Sequence, residues 1–160
     1  MLELGKSGSH GTGKGVLPVL SDGTVVATLQ ASNWKEAATA QVGERSWTFR
    51  RQGGRDLTGR WTVDSEDAVR LLAHQESYWT GIWSVTLDGR AVEVASASRW
   101  KGTHRYASGG RPLAESGTTG GWNPRPTLTP SAELSLDHAV FLLWFELLLG
   151  RRSAAAAAAV

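Results

Sequence analysis

Hydrophobic and polar residues alternate along most of the chain from Val16 to about Leu128. The runs are short and rich in β-favouring residues, and Gly, Asp-Gly or Gly-Gly separates them about every ten residues. A period of two places successive side chains on opposite faces of a strand. The pattern therefore predicts a mainly β protein, built as an antiparallel barrel of about ten to twelve strands.

The clearest predicted strand runs from Tyr78 to Leu87, where Trp83 and Val85 fall on the same face. Asp88-Gly89 follows, a dipeptide that supplies the positive φ angles of a tight hairpin turn. Residues 91–97 are therefore expected to pair back against this strand.

Other runs repeat the alternation. In Glu44 to Arg51, Trp47 and Phe49 share one face. Asp22-Gly23 predicts a second tight hairpin. The segment Ser65 to Glu76 is compatible with a helix start or a strand, and strand is favoured because its neighbours are strands.

Composition divides the chain into three parts. Residues 1–15 are rich in glycine and predict a flexible leader outside the fold, residues 16–152 predict one barrel domain, and residues 153–160 form an alanine-rich tail. After Leu113 the chain becomes rich in Gly, Thr, Pro and Ser, which predicts a long, mostly irregular connection.

A helix is predicted over residues 136–149, with Ser135 or Asp137 as its N-cap and Gly150 as its stop signal. Eleven of its fourteen residues are apolar, and only Glu146 interrupts the apolar run that follows the first turn. A helix that is apolar on all sides must be enclosed.

A membrane is one possible enclosure for residues 136–149. Fourteen residues span about 21 Å, whereas a bilayer core needs roughly twenty apolar residues, so no transmembrane span is expected. The alternative is a barrel wrapped around the helix. Glu146 is then expected to lie at a barrel mouth or to pair with an arginine.

The order of Trp- and Arg-rich strands resembles a known family. Arg45-Ser-Trp-Thr-Phe-Arg-Arg51, Leu57-Thr-Gly-Arg-Trp61 and Tyr78-Trp-Thr-Gly-Ile-Trp83, followed by the apolar helix 136–149, resemble small bacterial members of the tubby C-terminal-like superfamily. That superfamily includes LURP-one-related and phospholipid scramblase domains. The resemblance implies a twelve-stranded barrel threaded by a hydrophobic C-terminal helix. For eukaryotic members it implies binding of phosphoinositide headgroups.

Recognisable catalytic signals are missing from the sequence. The chain has no cysteine and no Gly-x-Ser-x-Gly motif, and its four histidines are scattered. The stretch Gly8 to Lys14 matches the glycine and lysine spacing of a phosphate-binding loop, but Gly15 stands where Ser or Thr should follow. The sequence therefore predicts a protein that is not an enzyme, with no metal and no cofactor.

Basic residues point to two further interpretations. They are either solvated positions on outward strand faces, or an anion-binding face for lipid headgroups with an interfacial aromatic residue. Nucleic acid is not expected as a partner because the net charge is only +2. The candidate face comprises Arg45, Arg50, Arg51, Arg99, Trp100, Lys101 and Arg105.

The function expected from these patterns is a binding or scaffold domain that recognises an anionic membrane surface or a protein partner. The alternative is a small-molecule-binding barrel of the avidin or lipocalin kind, which requires an interior that residues 136–149 do not fill. The first residues carry an acid at Glu3 and no signal-peptide core, so a cytoplasmic location is expected. Binding to an anionic membrane surface would make it peripheral at the membrane.

Overall fold

The computed structural model describes residues 1–160 and has twelve β-strands followed by one α-helix. Neighbouring strands pair antiparallel around the ring, and β1 pairs with β12 to close the barrel. The predicted fold class is confirmed. The elements are β1 (Leu2–Leu4), β2 (Leu17–Ser21), β3 (Thr24–Ala31), β4 (Ala37–Val42), β5 (Arg45–Gln52), β6 (Asp56–Trp61), β7 (Leu71–Gln75), β8 (Trp83–Leu87), β9 (Arg90–Ser98), β10 (Thr103–Ser108), β11 (Arg111–Thr119), β12 (Arg125–Pro130) and α1 (Leu136–Ala158).

Helix α1 fills the barrel. Every residue from Ala139 to Glu146 is buried, so the helix is covered on all sides. Its side chains contact several strands of the ring, since Phe141 packs on Phe49 of β5 and Phe145 packs on Trp83 of β8. The interior that a small-molecule-binding barrel would need is therefore occupied by the helix.

The tight hairpins at both Asp-Gly pairs are confirmed. Asp22, Gly23, Asp88 and Gly89 all have positive φ, which is the backbone conformation that a two-residue turn between antiparallel strands requires. These turns connect β2 to β3 and β8 to β9. The local sequence sets the strand register at these two points.

The prediction of a flexible leader over residues 1–15 is wrong for its first residues. Leu2–Leu4 is strand β1, which pairs with β2 and β12, and both Leu2 and Leu4 are buried. Three residues are too few to show an alternation among flanking glycines. The strand forms because its backbone pairs with the edges of β2 and β12, which would otherwise be left open.

Three further segments differ from the prediction. Of Ser65 to Glu76 only Leu71–Gln75 is a strand, and of Tyr78 to Leu87 only Trp83–Leu87 is a strand. The stretch after Leu113, expected to be irregular, contains most of β11 and all of β12. Its prolines and glycines lower strand propensity, but pairing with neighbouring strands overrides that local preference.

The helix begins as predicted and ends later. Ser135 is the N-cap, and its side chain accepts a hydrogen bond from the backbone N–H of His138. Gly150 does not stop the helix, which continues through the alanines to Ala158. Alanine has the highest helix propensity of all residues, so the tail extends the helix that the barrel has already nucleated.

Gly150→Ala is expected to raise the free energy of unfolding by about 0.5–1 kcal/mol, because glycine costs roughly that much in a helix interior. An added Cβ at Gly150 meets nothing within 4 Å. Gly59→Ala is the contrasting variant, since its Cβ would lie 3.1 Å from Phe49 and Leu71 atoms. It should lower stability by about 1–3 kcal/mol. Urea denaturation checks both, and a stabilising Gly59→Ala would contradict this packing.

Candidate functional site: the tryptophan end of the barrel

The two ends of the barrel carry different connections. Because successive strands are antiparallel, alternate connections lie at the same end. One end, here called the tryptophan end, carries connections 5–16, 32–36, 53–55, 76–82, 99–102 and 120–124. The other, the helix-entry end, carries 22–23, 43–44, 62–70, 88–89, 109–110 and 131–135.

Helix α1 enters at one end and leaves at the other. It begins directly after connection 131–135, at the helix-entry end. Its last turns reach connection 32–36, where the Arg151 side chain donates a hydrogen bond of 2.8 Å to the Ser32 carbonyl. Residues 153–160 are exposed and follow this exit, so the helix emerges at the tryptophan end.

Four tryptophans are fully exposed, and all lie in connections of the tryptophan end. Trp34, Trp79, Trp100 and Trp122 have relative exposures of 96%, 97%, 101% and 105%. At the helix-entry end the exposed large apolar residues include no aromatic side chain. Single exposed apolar residues are common on protein surfaces. Four exposed indoles at the same end are not, and they mark this end as a candidate interaction surface.

The exposed tryptophans are spread around the barrel. They belong to connections β3–β4, β7–β8, β9–β10 and β11–β12, so at most four strands separate neighbouring members. None of the four makes an aromatic contact with another. Together they surround the exit of the helix without forming one continuous apolar patch.

Charge is divided unequally between the two ends. Connections of the tryptophan end carry six lysines and arginines and two carboxylates, whereas those of the helix-entry end carry one arginine and seven carboxylates. All six cations are exposed, and none has a carboxylate partner within ion-pair distance. They are Lys6, Lys14, Lys35, Arg55, Arg99 and Lys101.

Connection 32–36 is held by the end of the helix. Arg152 donates two hydrogen bonds to the Glu36 carboxylate, at 2.6 and 2.9 Å, in the bidentate geometry that favours arginine. Arg152 also lies over the Trp83 ring, with 5.3 Å between its guanidinium carbon and the ring centroid. The base of the Trp34 connection is therefore fixed, while the indole itself projects into solvent.

The predicted anion-binding residues do not form one face. Arg99, Trp100 and Lys101 lie together in connection 99–102, at the tryptophan end. Arg50 and Arg51 lie near the end of β5 and pair with Glu66 and Glu36, each at 3.4 Å. Because β5 and β10 are five places apart in the ring of twelve, the two groups stand on nearly opposite sides of the barrel.

Arg45 lies at the helix-entry end and has a structural partner. It donates hydrogen bonds of 2.9 and 2.6 Å to the two carboxylate oxygens of Asp137, in the first turn of the helix. Arg105 lies on the outer wall and pairs with Glu115 at 3.4 Å. Neither residue belongs to the group of unpaired cations at the tryptophan end.

Sequence reasoning missed Trp34, Trp79 and Trp122 as members of this site. Trp34 and Trp122 follow Ser-Asn and Gly-Gly, which are turn-forming pairs that could have signalled exposed loop tips. Trp79 was expected in a strand with Trp83, but it lies in the connection that precedes β8. Only the ring order of the barrel shows that these tips share an end.

Glu146 is predicted to lie at a barrel mouth or to pair with an arginine, and the second of these alternatives is wrong. Glu146 is buried in the barrel, where it accepts a hydrogen bond from the Tyr106 hydroxyl and pairs with His104 Nδ1 at 2.9 Å, both on β10. No arginine contacts it, so the expected arginine partner is wrong. Burial, followed by the Glu146 charge, raises the pKa of Tyr106 well above its ordinary value.

The described chain contains no helix that is both long enough and apolar enough to cross a bilayer. It also contains no group of three or more His, Asp or Glu side chains placed to hold a metal ion. Comparison with protein-family models, curated proteins and solved structures gave no match. The inference of function therefore rests on the geometry of the tryptophan end.

Proposed function

We propose that this protein is a non-enzymatic binding module that docks its tryptophan end on the anionic surface of a membrane, as a peripheral protein of the cytoplasm. The observation that supports this proposal is the separation of charge along the barrel. Six cations without acidic partners stand in the connections of one end, whereas those of the other carry seven carboxylates, four of them paired with arginines, and one arginine.

The net charge of +2 understates this separation, because the opposite charges of the two ends cancel in the total. A negative lipid surface attracts the cationic end, at about 1 kcal/mol for each Lys or Arg close to the surface. It repels the acidic end. The attraction falls off within a Debye length, about 8 Å at physiological salt, so only the end that faces the membrane contributes.

Membership of the tubby C-terminal-like superfamily is part of this proposal. It supplies an analogy with the headgroup binding of eukaryotic members, and no residue-by-residue site is transferred from them. The cations at the tryptophan end are instead the residues that we assign to headgroup contact. Of the residues predicted from sequence, Arg99 and Lys101 belong to this group, and Trp100 lies between them.

The test is co-sedimentation with phosphatidylcholine vesicles, with and without phosphatidylserine, at low and physiological salt. Binding should require phosphatidylserine and should weaken as salt rises. The double variant Arg99→Glu/Lys101→Glu should bind at least about 30-fold more weakly, because roughly 1 kcal/mol is lost for each cation removed.

A matched control is Arg90→Glu/Arg111→Glu, which changes the net charge by the same amount at the helix-entry end. The two side chains are exposed, at 39% and 75%. This control should bind much more tightly than the Arg99/Lys101 variant. Equal loss in the two variants would show that total charge alone governs binding, and absence of any vesicle binding would overturn the proposal in favour of a protein partner.

A further inference from the structure

The eight tryptophans fall into two groups according to their exposure to solvent. Trp47, Trp83 and Trp144 are buried, and Trp61 is half-buried beneath the Arg70 guanidinium, 3.6 Å from its ring centroid. The remaining four project from the tryptophan end and are at least 96% exposed. Full exposure of an indole leaves a large apolar area in water, so these four positions gain most from a surface that covers them.

Cations are adjacent in sequence to two of the four exposed indoles. Lys35 follows Trp34, and Arg99 and Lys101 flank Trp100. The core of a protein–protein interface is depleted of charged residues and is well packed. Separated indoles beside free cations match instead the bilayer interface, where indoles sit at headgroup level and cations meet lipid phosphates.

We infer that Trp34, Trp79, Trp100 and Trp122 enter the boundary between headgroups and acyl chains, which makes the partner a lipid bilayer and not another polyanion. This inference rests on the proposed membrane docking. The four connections surround the exit of helix α1, so simultaneous insertion holds the barrel axis close to the membrane normal. The acidic helix-entry end then faces away from the lipid.

Insertion changes how binding responds to salt. Attraction between the exposed cations and lipid phosphates is screened by ions, whereas removal of indole surface from water is not. Wild-type protein should therefore keep measurable binding at high salt to vesicles that contain phosphatidylserine. The Arg99→Glu/Lys101→Glu variant tests the electrostatic contribution alone, since it leaves all four indoles in place.

The experiment measures quenching of tryptophan fluorescence by vesicles of phosphatidylserine and phosphatidylcholine brominated at shallow acyl positions. Quenching of wild-type protein is expected, because the exposed indoles approach the bromines while the buried indoles stay shielded. Each single Trp→Ala replacement at the four positions should weaken binding by about five- to tenfold. The quadruple variant should lose the quenching.

Val63→Ala is the control for loss of an exposed apolar side chain. Val63 is 90% exposed and lies in connection 62–70, at the helix-entry end. This variant should bind and be quenched as the wild type. The single variants keep the test valid if the quadruple variant fails to fold, and thermal unfolding monitors folding in each case.

The outcomes separate this inference from the proposed function. Phosphatidylserine-dependent binding without quenching, together with normal binding by the Trp→Ala variants, would overturn insertion while leaving electrostatic docking intact. Absence of binding to any vesicle would overturn both. Quenching that survives in the quadruple variant would also contradict the assignment, because the lipid would then be reaching other tryptophans.

Discussion

Trp144→Ala is expected to lower the free energy of unfolding by about 3–5 kcal/mol, the usual cost of removing a large buried aromatic side chain. Trp144 lies on the enclosed helix and has no exposed surface. Its ring centroid is 5.3 Å from that of Phe49 on the barrel wall and 5.8 Å from that of Phe141. Chemical denaturation measures the change.

The cost is large because strands surround the helix on all sides and cannot collapse into the space that is left. Trp79→Ala is the matched control, since it makes the same chemical change at an indole that is 97% exposed. It should alter stability by less than about 0.5 kcal/mol. Equal destabilisation by the two variants would contradict the placement of the helix inside the barrel.

Asp137→Ala is expected to lower the free energy of unfolding by about 2–3 kcal/mol. The Asp137 carboxylate accepts two hydrogen bonds from Arg45 and one of 2.6 Å from Trp47 Nε1. Its removal leaves the indole N–H of the buried Trp47 without a partner. Glu115→Ala is the control, because its pair with Arg105 is exposed and should contribute less than about 1 kcal/mol.

The contribution of Asp137 should depend on pH. Burial raises its pKa, but hydrogen bonds from Arg45 and Trp47 and the Arg45 charge outweigh burial, so the pKa lies below its ordinary value of 3.8. A carboxylate with a lowered pKa in the folded state stabilises the fold fully above its unfolded pKa. That stability is lost as pH falls from 3.8 through the folded pKa.

Asp137→Asn provides the comparison for this pH dependence, because asparagine resembles the protonated acid in size and shape. The wild type should be more stable than Asp137→Asn at neutral pH, and the difference should shrink as the pH falls below 3.8. Denaturation curves across this range measure it. A difference that stays constant with pH would contradict a role for the Asp137 charge.

Strong local patterns made parts of the fold predictable. The Asp-Gly pairs at 22–23 and 88–89 required positive φ and form tight hairpins as expected. The apolar run after Ser135 required enclosure, and the barrel encloses it. Weak local patterns failed, since β1 has only three residues and β12 contains Pro126.

The candidate site was predicted less completely than the fold. The group Arg99, Trp100 and Lys101 could be recognised because its members are adjacent in sequence. Arg45 was misplaced because β5 carries it to the opposite end, where Asp137 binds it. An interaction across 92 positions of sequence leaves no local pattern.

The sequence alone determined that the chain forms a β-barrel around an apolar helix. Side-chain periodicity and turn chemistry depend on residues that are close together in the sequence, so both can be recognised there. Tertiary structure alone decided which distant residues share an end. Trp34 and Trp122 lie far apart in sequence, and the antiparallel order of the closed ring brings them to the same end. The separation of charge between the two ends arises in the same way, because chain direction reverses at each turn and sorts alternate connections to opposite ends.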